Sequence, residues 1–333
     1  MQYLSSILFW RPSINLFSVH IILKWYNHEE LALLKKGELY EMVKIGQSMH
    51  PFWVNGDLGR LSEELLQIKE AGAECCELVL PGLDVVIGGK VIRQRQEAVL
   101  GILREYGFEY TLHMPHGLNL IDAKMLEMNL GVFRAGIEFA QSVGIKIINY
   151  HAGTTKTNDK SLIHNEAEQI KKLAASAPDI LFCMENPLFF TDDEFSAALD
   201  AEDSIEFWKQ VGLENFKLTF DIGHSFLRHG GDAAALLSDF KQLLPYAGHI
   251  HLHDNCGVKM DMKAAGHADR LSCGIGDIHL PLGWGRLPMD EIFALLNSFK
   301  QYNGIVNLEI ERRFCYQYTQ SISLVRESLA TLA

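Results

Sequence analysis

The chain has 333 residues, 48% of them hydrophobic, which is enough for one large barrel or two smaller domains around a substantial core. Its formal net charge of −12 argues against broad electrostatic capture of nucleic acid, unless bound cations place a positive centre inside the acidic shell. No apolar run reaches the roughly 20 residues of a membrane span, and the six cysteines (Cys75, Cys76, Cys183, Cys256, Cys273, Cys315) hold no CxxC pair, so neither a membrane-spanning helix nor a disulfide framework is expected, and a reducing cytoplasm is the expected location.

Residues 1–41 read as an N-terminal extension ahead of a folded domain over 42–333. The apolar stretch from Met1 to Tyr26 is broken by Arg11, Pro12, Asn15 and His20, and it lacks the basic start and cleavage site of a signal peptide. From Met42 onward, strand and helix signals alternate. A strand near 43–48 precedes a helix near 59–71 whose apolar residues recur at helical spacing. The strand AECCELVL leads to a helix from 90 to 106, FEYTLH to one from 122 to 143, and IKIINYH to one near 161–176 that Pro178 stops. DILFCME precedes a helix near 203–211, FKLTFD one near 232–243, and GHIHLH a long loop and a helix near 288–301; IVNLEI and a final helix complete the chain. Eight such units predict an α/β fold, a (β/α)8 TIM barrel in a single domain. No glycine-rich nucleotide fingerprint follows the first strand, which argues against an open doubly wound sheet. The loops over 186–202, with Phe189–Phe190, and 255–287 are long enough to be functional.

In a parallel barrel every strand ends on one rim, and here six strand candidates end in His113, His151, Glu185, Asp221, His251 and Glu309. Three more groups fall close by: His224 one turn after Asp221, and the Asp277-x-His279 pair. A ring of His, Asp and Glu is what a divalent metal requires, and carboxylates are rarely buried unless paired or metal-bound. Taken singly, each residue has a plainer explanation. A strand-end His is usually a hydrogen-bonded structural group, Asp221 and His224 fit a helix cap, and Glu309 with Glu311 could face Arg312 and Arg313. His249 and His253, on the same strand face as His251, read as core residues or supports for ligands. Arg270, Trp284 and Arg286, in the loop after the seventh strand, are candidates to grip a substrate phosphate or ring.

The ordered motifs HMPHGLNL, YHAG, MENP, FDIGH, HLHD, DIHLPLGWG and LE resemble those of the xylose isomerase-like TIM-barrel superfamily, and most closely its AP endonuclease family 2 branch, the endonuclease IV group, over about residues 43–310. The resemblance implies nine ligands for three zinc ions. His113, His151 and Glu185 would hold one ion. Glu185, bridging, would join Asp221, His251 and Glu309 around a second, and His224, Asp277 and His279 would hold the third. Three departures bear on the substrate. The first strand is followed by GQSMHPF and not Gly-x-His-Val-Ser, the DNA-reading loop is not recognisable in VLPGLDVVIGG, and His116 stands where the branch has a tyrosine pressed into damaged duplex. AECCELVL is instead similar to the Gly-Ala-Asp-x-x-Glu-Leu pattern of sugar isomerases and epimerases.

Two functions follow. The first is phosphoester hydrolysis, in which three zinc ions generate hydroxide and stabilise charge on phosphorus, with Glu185 bridging and Glu309 orienting the attacking water. The alternative is isomerisation or epimerisation of a sugar or sugar phosphate. It needs a single Mn, Mg or Co ion, with Glu185 and Glu309 passing a proton on opposite faces of the substrate. The expected partners are a small phosphorylated or sugar substrate, bound in part by His116, or damaged DNA.

Overall fold

The alternation becomes a ring. In chain order the strands are β1 (Lys44–Ser48), β2 (Cys75–Val79), β3 (Glu109–His113), β4 (Ile147–His151), β5 (Leu181–Glu185), β6 (Phe216–Asp221), β7 (Ala247–Leu252) and β8 (Ile305–Leu308). Each pairs in parallel with its neighbours, and β8 pairs with β1, so the barrel closes and leaves no edge. The computed structural model describes residues 43–157, 159–187, 195–198, 200–259 and 267–330. The expectations for residues 1–41 and for Phe189–Phe190 fall outside them. The barrel belongs to a unit spanning Val43–Ala333.

The main helices among the described residues are α1 (Leu58–Glu70), α2 (Arg93–Tyr106), α3 (Leu126–Val143), α4 (Lys160–Ser176), α5 (Ala201–Val211), α6 (Ala233–Leu243), α7 (Met289–Ser298) and α8 (Tyr318–Ala330). Their limits follow from local chemistry. The Asp57 carboxylate accepts the amides of Gly59 and Arg60 at 2.8 and 3.0 Å and so starts α1. α3 ends at Gly144, whose φ of 88° suits only a residue without a Cβ. Pro178 forces Ala177 off the helical region (φ −136°, ψ 69°) and stops α4. α2 begins later than its periodicity implies because Val86–Ile87 and Lys90–Val91 pair as a small antiparallel hairpin.

The apolar core lies between the strands and the helices. Phe220 on β6 and Phe240 on α6, both at most 2% exposed, stack with centroids 5.3 Å apart. The barrel lumen is different. Gln47, Glu77, Thr111, Asn149, Thr219, His249 and Asn307 are buried there, and five of them, Glu77, Thr111, Asn149, Thr219 and Asn307, are joined by hydrogen bonds across the strands: Thr219 Oγ1 donates to Asn149 Oδ1 at 2.6 Å and Thr111 Oγ1 to Glu77 Oε2 at 3.1 Å. This polar filling replaces the branched aliphatic layers that such barrels usually carry. No helix among the described residues is long and apolar enough to cross a membrane.

Truncating Phe240 to Ala removes the stacked ring and leaves a cavity behind β6. We expect a loss of about 3–5 kcal/mol in urea unfolding, with cation binding in the folded protein unchanged.

Candidate metal centre

The strand register delivers the donors to one level. His151 is paired with Glu185, and Asp221 with His251. Glu309, one residue past β8, donates its amide to Leu252 O at 3.2 Å. Asp221 also caps the short helix Ile222–Arg228, its Oδ1 accepting the His224 amide at 2.6 Å, and this holds His224 beside the other donors. The helix passes directly against His253: a Cβ on Gly223 would lie 2.2 Å from His253 Cε1, so the glycine of FDIGH is required for the close approach.

Asp277 and His279 arrive on the segment after β7, which Asp254 clamps. Its carboxylate accepts the amides of Gly283 and Gly285, both at 2.9 Å, and of Leu287 at 3.2 Å. Asp254 and Leu280 also exchange backbone bonds at 3.0 and 2.9 Å. His279 adopts φ 44°, an uncommon conformation for a residue with a side chain. Two bonds hold it there: Glu311 N donates to His279 O at 2.9 Å, and His279 Nδ1 donates to Glu309 O at 2.6 Å.

Three histidines share an arrangement. His113 Nδ1 donates to Met114 O at 2.6 Å, His224 Nδ1 to Asn186 O at 3.0 Å, and His279 Nδ1 to Glu309 O. Each ring therefore turns Nε2 toward a carboxylate: His113 to Glu185 at 3.1 Å, His224 to Asp277 at 3.5 Å, and His279 to Asp277 at 2.7 Å. A neutral ring would then set a lone pair against a carboxylate oxygen, which is repulsive unless a proton or a metal cation lies between them. Histidine ligands are commonly oriented in this way, by the nitrogen that does not bind the metal.

The spacings fit a cation. Donors about 2.0–2.1 Å from a tetrahedral ion lie about 3.3 Å from one another. His151 Nε2 is 3.3 Å from Glu185 Oε1, while His251 Nδ1 is 3.2 Å from Glu185 Oε2 and 3.5 Å from Glu309 Oε1. His253 Nε2 is 3.4 Å from Asp221 Oδ1 and 3.5 Å from Asp277 Oδ1. Glu185 Oε1, Asp221 Oδ2, Asp277 Oδ1, His251 Nδ1 and His253 Nε2 are buried without an aligned hydrogen bond. In an interior that leaves few polar groups unsatisfied, these are coordination-ready atoms.

Electrostatics agree. Burial by itself raises Glu185, but His151, His251 and His113 outweigh it and hold the carboxyl well below its usual range. Asp277 is likewise raised by burial and brought well below by His279, His253 and His224. The histidines answer in kind. Burial opposes the charged rings, yet Glu185 lifts His113 to about 9, Asp277 lifts His279 to about 10, and the nearby carboxylates lift His224 and His251 well above the ordinary value. Without a metal, protons occupy the places where a cation is wanted. His116 is pushed the other way by the protein around it and by His113 and His151; its surface is exposed, so water softens that shift, but the neutral ring it favours is the ligand form.

Residues 65–333 match the sequence profile described as xylose isomerase-like TIM barrel. The chain belongs to that family. An uncharacterized protein of Methanocaldococcus jannaschii, MJ1614, is 24% identical over 279 residues, covering 81% of this chain and 93% of its own. Among solved structures, a D-tagatose 3-epimerase-like protein superposes with a TM-score of 0.66 at 20% identity over 87% of this chain and 98% of that one. An L-ribulose 3-epimerase gives 0.64 at 14% over 87% and 96%. A xylose isomerase-like TIM barrel protein from Mycobacterium smegmatis, in complex with magnesium, gives 0.64 at 18% over 88% and 99%. At these identities the likeness is one of fold.

In this xylose isomerase-like barrel all nine residues expected as ligands converge: His113, His151, Glu185, Asp221, His224, His251, Asp277, His279 and Glu309. His116, expected to bind substrate, has a ring nitrogen within 4.8 Å of those of His113 and His151, so it stands at the ligand cluster itself. His253, expected as core or support, is placed more narrowly by the structure. It is buried, as core would be, but its Nε2 faces Asp221 and Asp277 and its ring stacks on His279 at 4.0 Å. Glu77 entered only as part of the AECCELVL motif and was given no role at the site, although a carboxylate in the middle of that apolar run was the available signal. Trp284 packs edge-on against Phe314 at 5.5 Å; Arg286 is exposed and bonds through its amide to Asn255 O at 2.8 Å; Arg270 lies on the short helix His267–Cys273. These three do not join the converging donors.

A raised histidine pKa contributes stability below the unfolded value of about 6.5 that is lost as pH climbs through the folded value. With His113 at about 9 and His279 at about 10, the metal-free protein should lose thermal stability between pH 6.5 and 10. We expect its Tm to fall by about 5 °C or more across that window, measured by calorimetry after chelation. The metal-loaded protein should stay flatter, because the cation has displaced the protons. By the same sign, divalent-metal affinity should rise with pH from 6 to 9.

Proposed function

We propose that the protein is a divalent-metal-dependent isomerase or epimerase of small sugars. The carrying observation is the disposition of Glu185 and Glu309. Both carboxylates come within 3.5 Å of the same His251 nitrogen, yet they rise from β5 and β8, which β6 and β7 separate around the barrel. Two acid–base groups thus flank the position that Asp221 and His251 help to define. Glu185, Asp221, His251 and Glu309 fit a single divalent ion, which when bound would polarise the carbonyl and neighbouring hydroxyl of a ketose. One glutamate takes the proton from the carbon between those groups, and the other returns a proton to the opposite face. Net, a stereocentre or carbonyl position changes with no redox partner.

Access and charge support this reading. His151, His279, Glu309 and Asp277 keep 12–29% of their side chains exposed, whereas Glu185, Asp221 and His251 keep 1% or less, so a substrate would enter past the former set. Five carboxylates (Glu77, Glu185, Asp221, Asp277 and Glu309) are offset by one dication and by the protonated rings of His113, His224 and His279, and a site without excess positive charge suits a neutral sugar better than a phosphate. Trp284, about half exposed, offers a ring face for a sugar, and His116 a polar contact. Arg270 or Arg286 would serve a phosphorylated substrate. The solved relatives named above as 3-epimerases point the same way.

A second reading rests on the further donors. His113, His116 and His151 on one side, and His224, His253, Asp277 and His279 on the other, are enough for two additional ions. Three dications would make the mouth cationic and favour phosphoester hydrolysis by a metal-held hydroxide.

Metal content and isotope exchange separate the two. With one equivalent of Mn²⁺, Co²⁺ or Mg²⁺ and a ketose panel in deuterium oxide, we expect deuterium at the carbon beside the carbonyl. Chelation should abolish the exchange, and Glu185→Gln or Glu309→Gln should lower it about 10²–10⁴-fold. Three tightly bound zincs per chain, with phosphoester cleavage and no exchange, would replace the epimerase by the hydrolase.

A further inference from the structure

One layer beneath the donors, Glu77 sits in the middle of β2, fully buried. Its two oxygens collect groups from five of the eight strands. Oε1 accepts from Ser48 Oγ at 3.2 Å and Asn307 Nδ2 at 3.4 Å; Oε2 accepts from Thr111 Oγ1 at 3.1 Å and from Asn149 Nδ2. His249 Nε2 lies 3.3 Å from Oε2 and His251 Nε2 3.0 Å from Oε1. Every one of these neighbours is a donor or can be one, so the group is an acceptor-only carboxylate. Held this way it has no vacant oxygen for an ion of its own.

His251 is the ligand candidate that this carboxylate touches, and it is mounted in reverse. His113, His224 and His279 give Nδ1–H to a backbone carbonyl and present Nε2. His251 presents Nδ1 to Glu185, Glu309 and Asp221, at 3.2, 3.5 and 3.9 Å, and turns Nε2 to Glu77. The reversal follows from β7. His249, His251 and His253 alternate inward, and the middle ring lies between the lumen layer and the rim layer. Ser48 extends the link: it donates to Glu77 Oε1, lies 3.3 Å from Glu309 Oε1, and accepts from Asn307 Nδ2 at 2.7 Å.

We infer that Glu77 is a positioning residue for the metal: its charge keeps the proton of His251 on Nε2, so that the Nδ1 lone pair faces the position shared by Glu185, Asp221 and Glu309. A carboxylate is a stronger acceptor than the peptide carbonyls behind the other rings. His251 is therefore the more basic ligand, and the ion beside it is the most tightly held. The inference rests on the metal reading of the site but not on which reaction the site performs.

The test titrates Co²⁺ into the full chain by calorimetry, for wild type, Glu77→Gln, His251→Ala and the double variant. The tightest site of Glu77→Gln should bind about 10–100-fold more weakly. Once His251 is Ala, adding Glu77→Gln should change nothing more, since the effect travels through that ring. A purely structural Glu77 would instead weaken binding equally in both backgrounds. That outcome, or an affinity within about threefold of wild type, overturns the assignment. A wild-type protein that takes up no Co²⁺ sinks the metal reading itself, which keeps the two failures apart. Should Glu77→Gln not fold, ¹⁵N-histidine spectra of the Zn²⁺-loaded wild type decide: one ring must carry metal on Nδ1 and a proton on Nε2. If every liganded ring binds through Nε2, Glu77 has no such role.

Discussion

Buried negative charge has to be answered. Glu77, Glu185, Asp221, Asp277 and Glu309 lie within the barrel or at its mouth, and Glu77, Glu185 and Asp221 are fully buried. An isolated carboxylate in such a place would take up a proton or destabilise the fold. Here imidazoles surround them, and the mutual attraction keeps Glu77, Glu185, Asp221 and Asp277 ionised at the expense of burial. The balance is incomplete without a cation: with Nδ1–H given to backbone carbonyls, the Nε2 atoms of His113, His224 and His279 can meet the carboxylates they face only through a proton or a metal.

That arrangement governs how the rest of the chain is built. A closed parallel barrel aligns eight strand ends and sacrifices no backbone hydrogen bond at an edge. The lumen then carries hydrogen-bonded polar groups where aliphatic layers would be simpler. The rim segments are held by short-range devices: Asp221 as cap and donor, Asp254 as a clamp on three amides, Gly223 as the gap that admits His253. Each fixes a side chain whose neighbour in space is distant in sequence, which is the preorganisation that binding and proton transfer both require.

Much of this was legible before any coordinates. Apolar runs ending in His, Asp or Glu mark strands whose ends share a rim, and helical periodicity between them allows few folds other than the barrel. The order of motifs also placed the chain in its family, and the family profile bears that out. The hydrolase expectation leaned on the ligand count, and the solved structures that share this fold include proteins named as sugar epimerases. Glu77 was given no role because both faces of a barrel strand are buried, so AECCELVL reads as an apolar run interrupted by two carboxylates, Glu74 and Glu77, with nothing local to separate them. For His253, alternation says only that it points inward; whether it meets apolar atoms or carboxylates depends on Asp221 at the end of β6 and on Asp277 in a loop some twenty residues on.

The sequence by itself determined the architecture and the donor inventory, because periodicity and strand-end chemistry are local properties carried by consecutive residues. Tertiary structure alone decided which nitrogen each histidine turns toward the carboxylates, that Glu77 lies behind His251, and that His116 and His253 stand among the candidate ligands. Those outcomes turn on distances of three to five ångströms between side chains from different strands and loops, and only the closed barrel with its rim segments sets them.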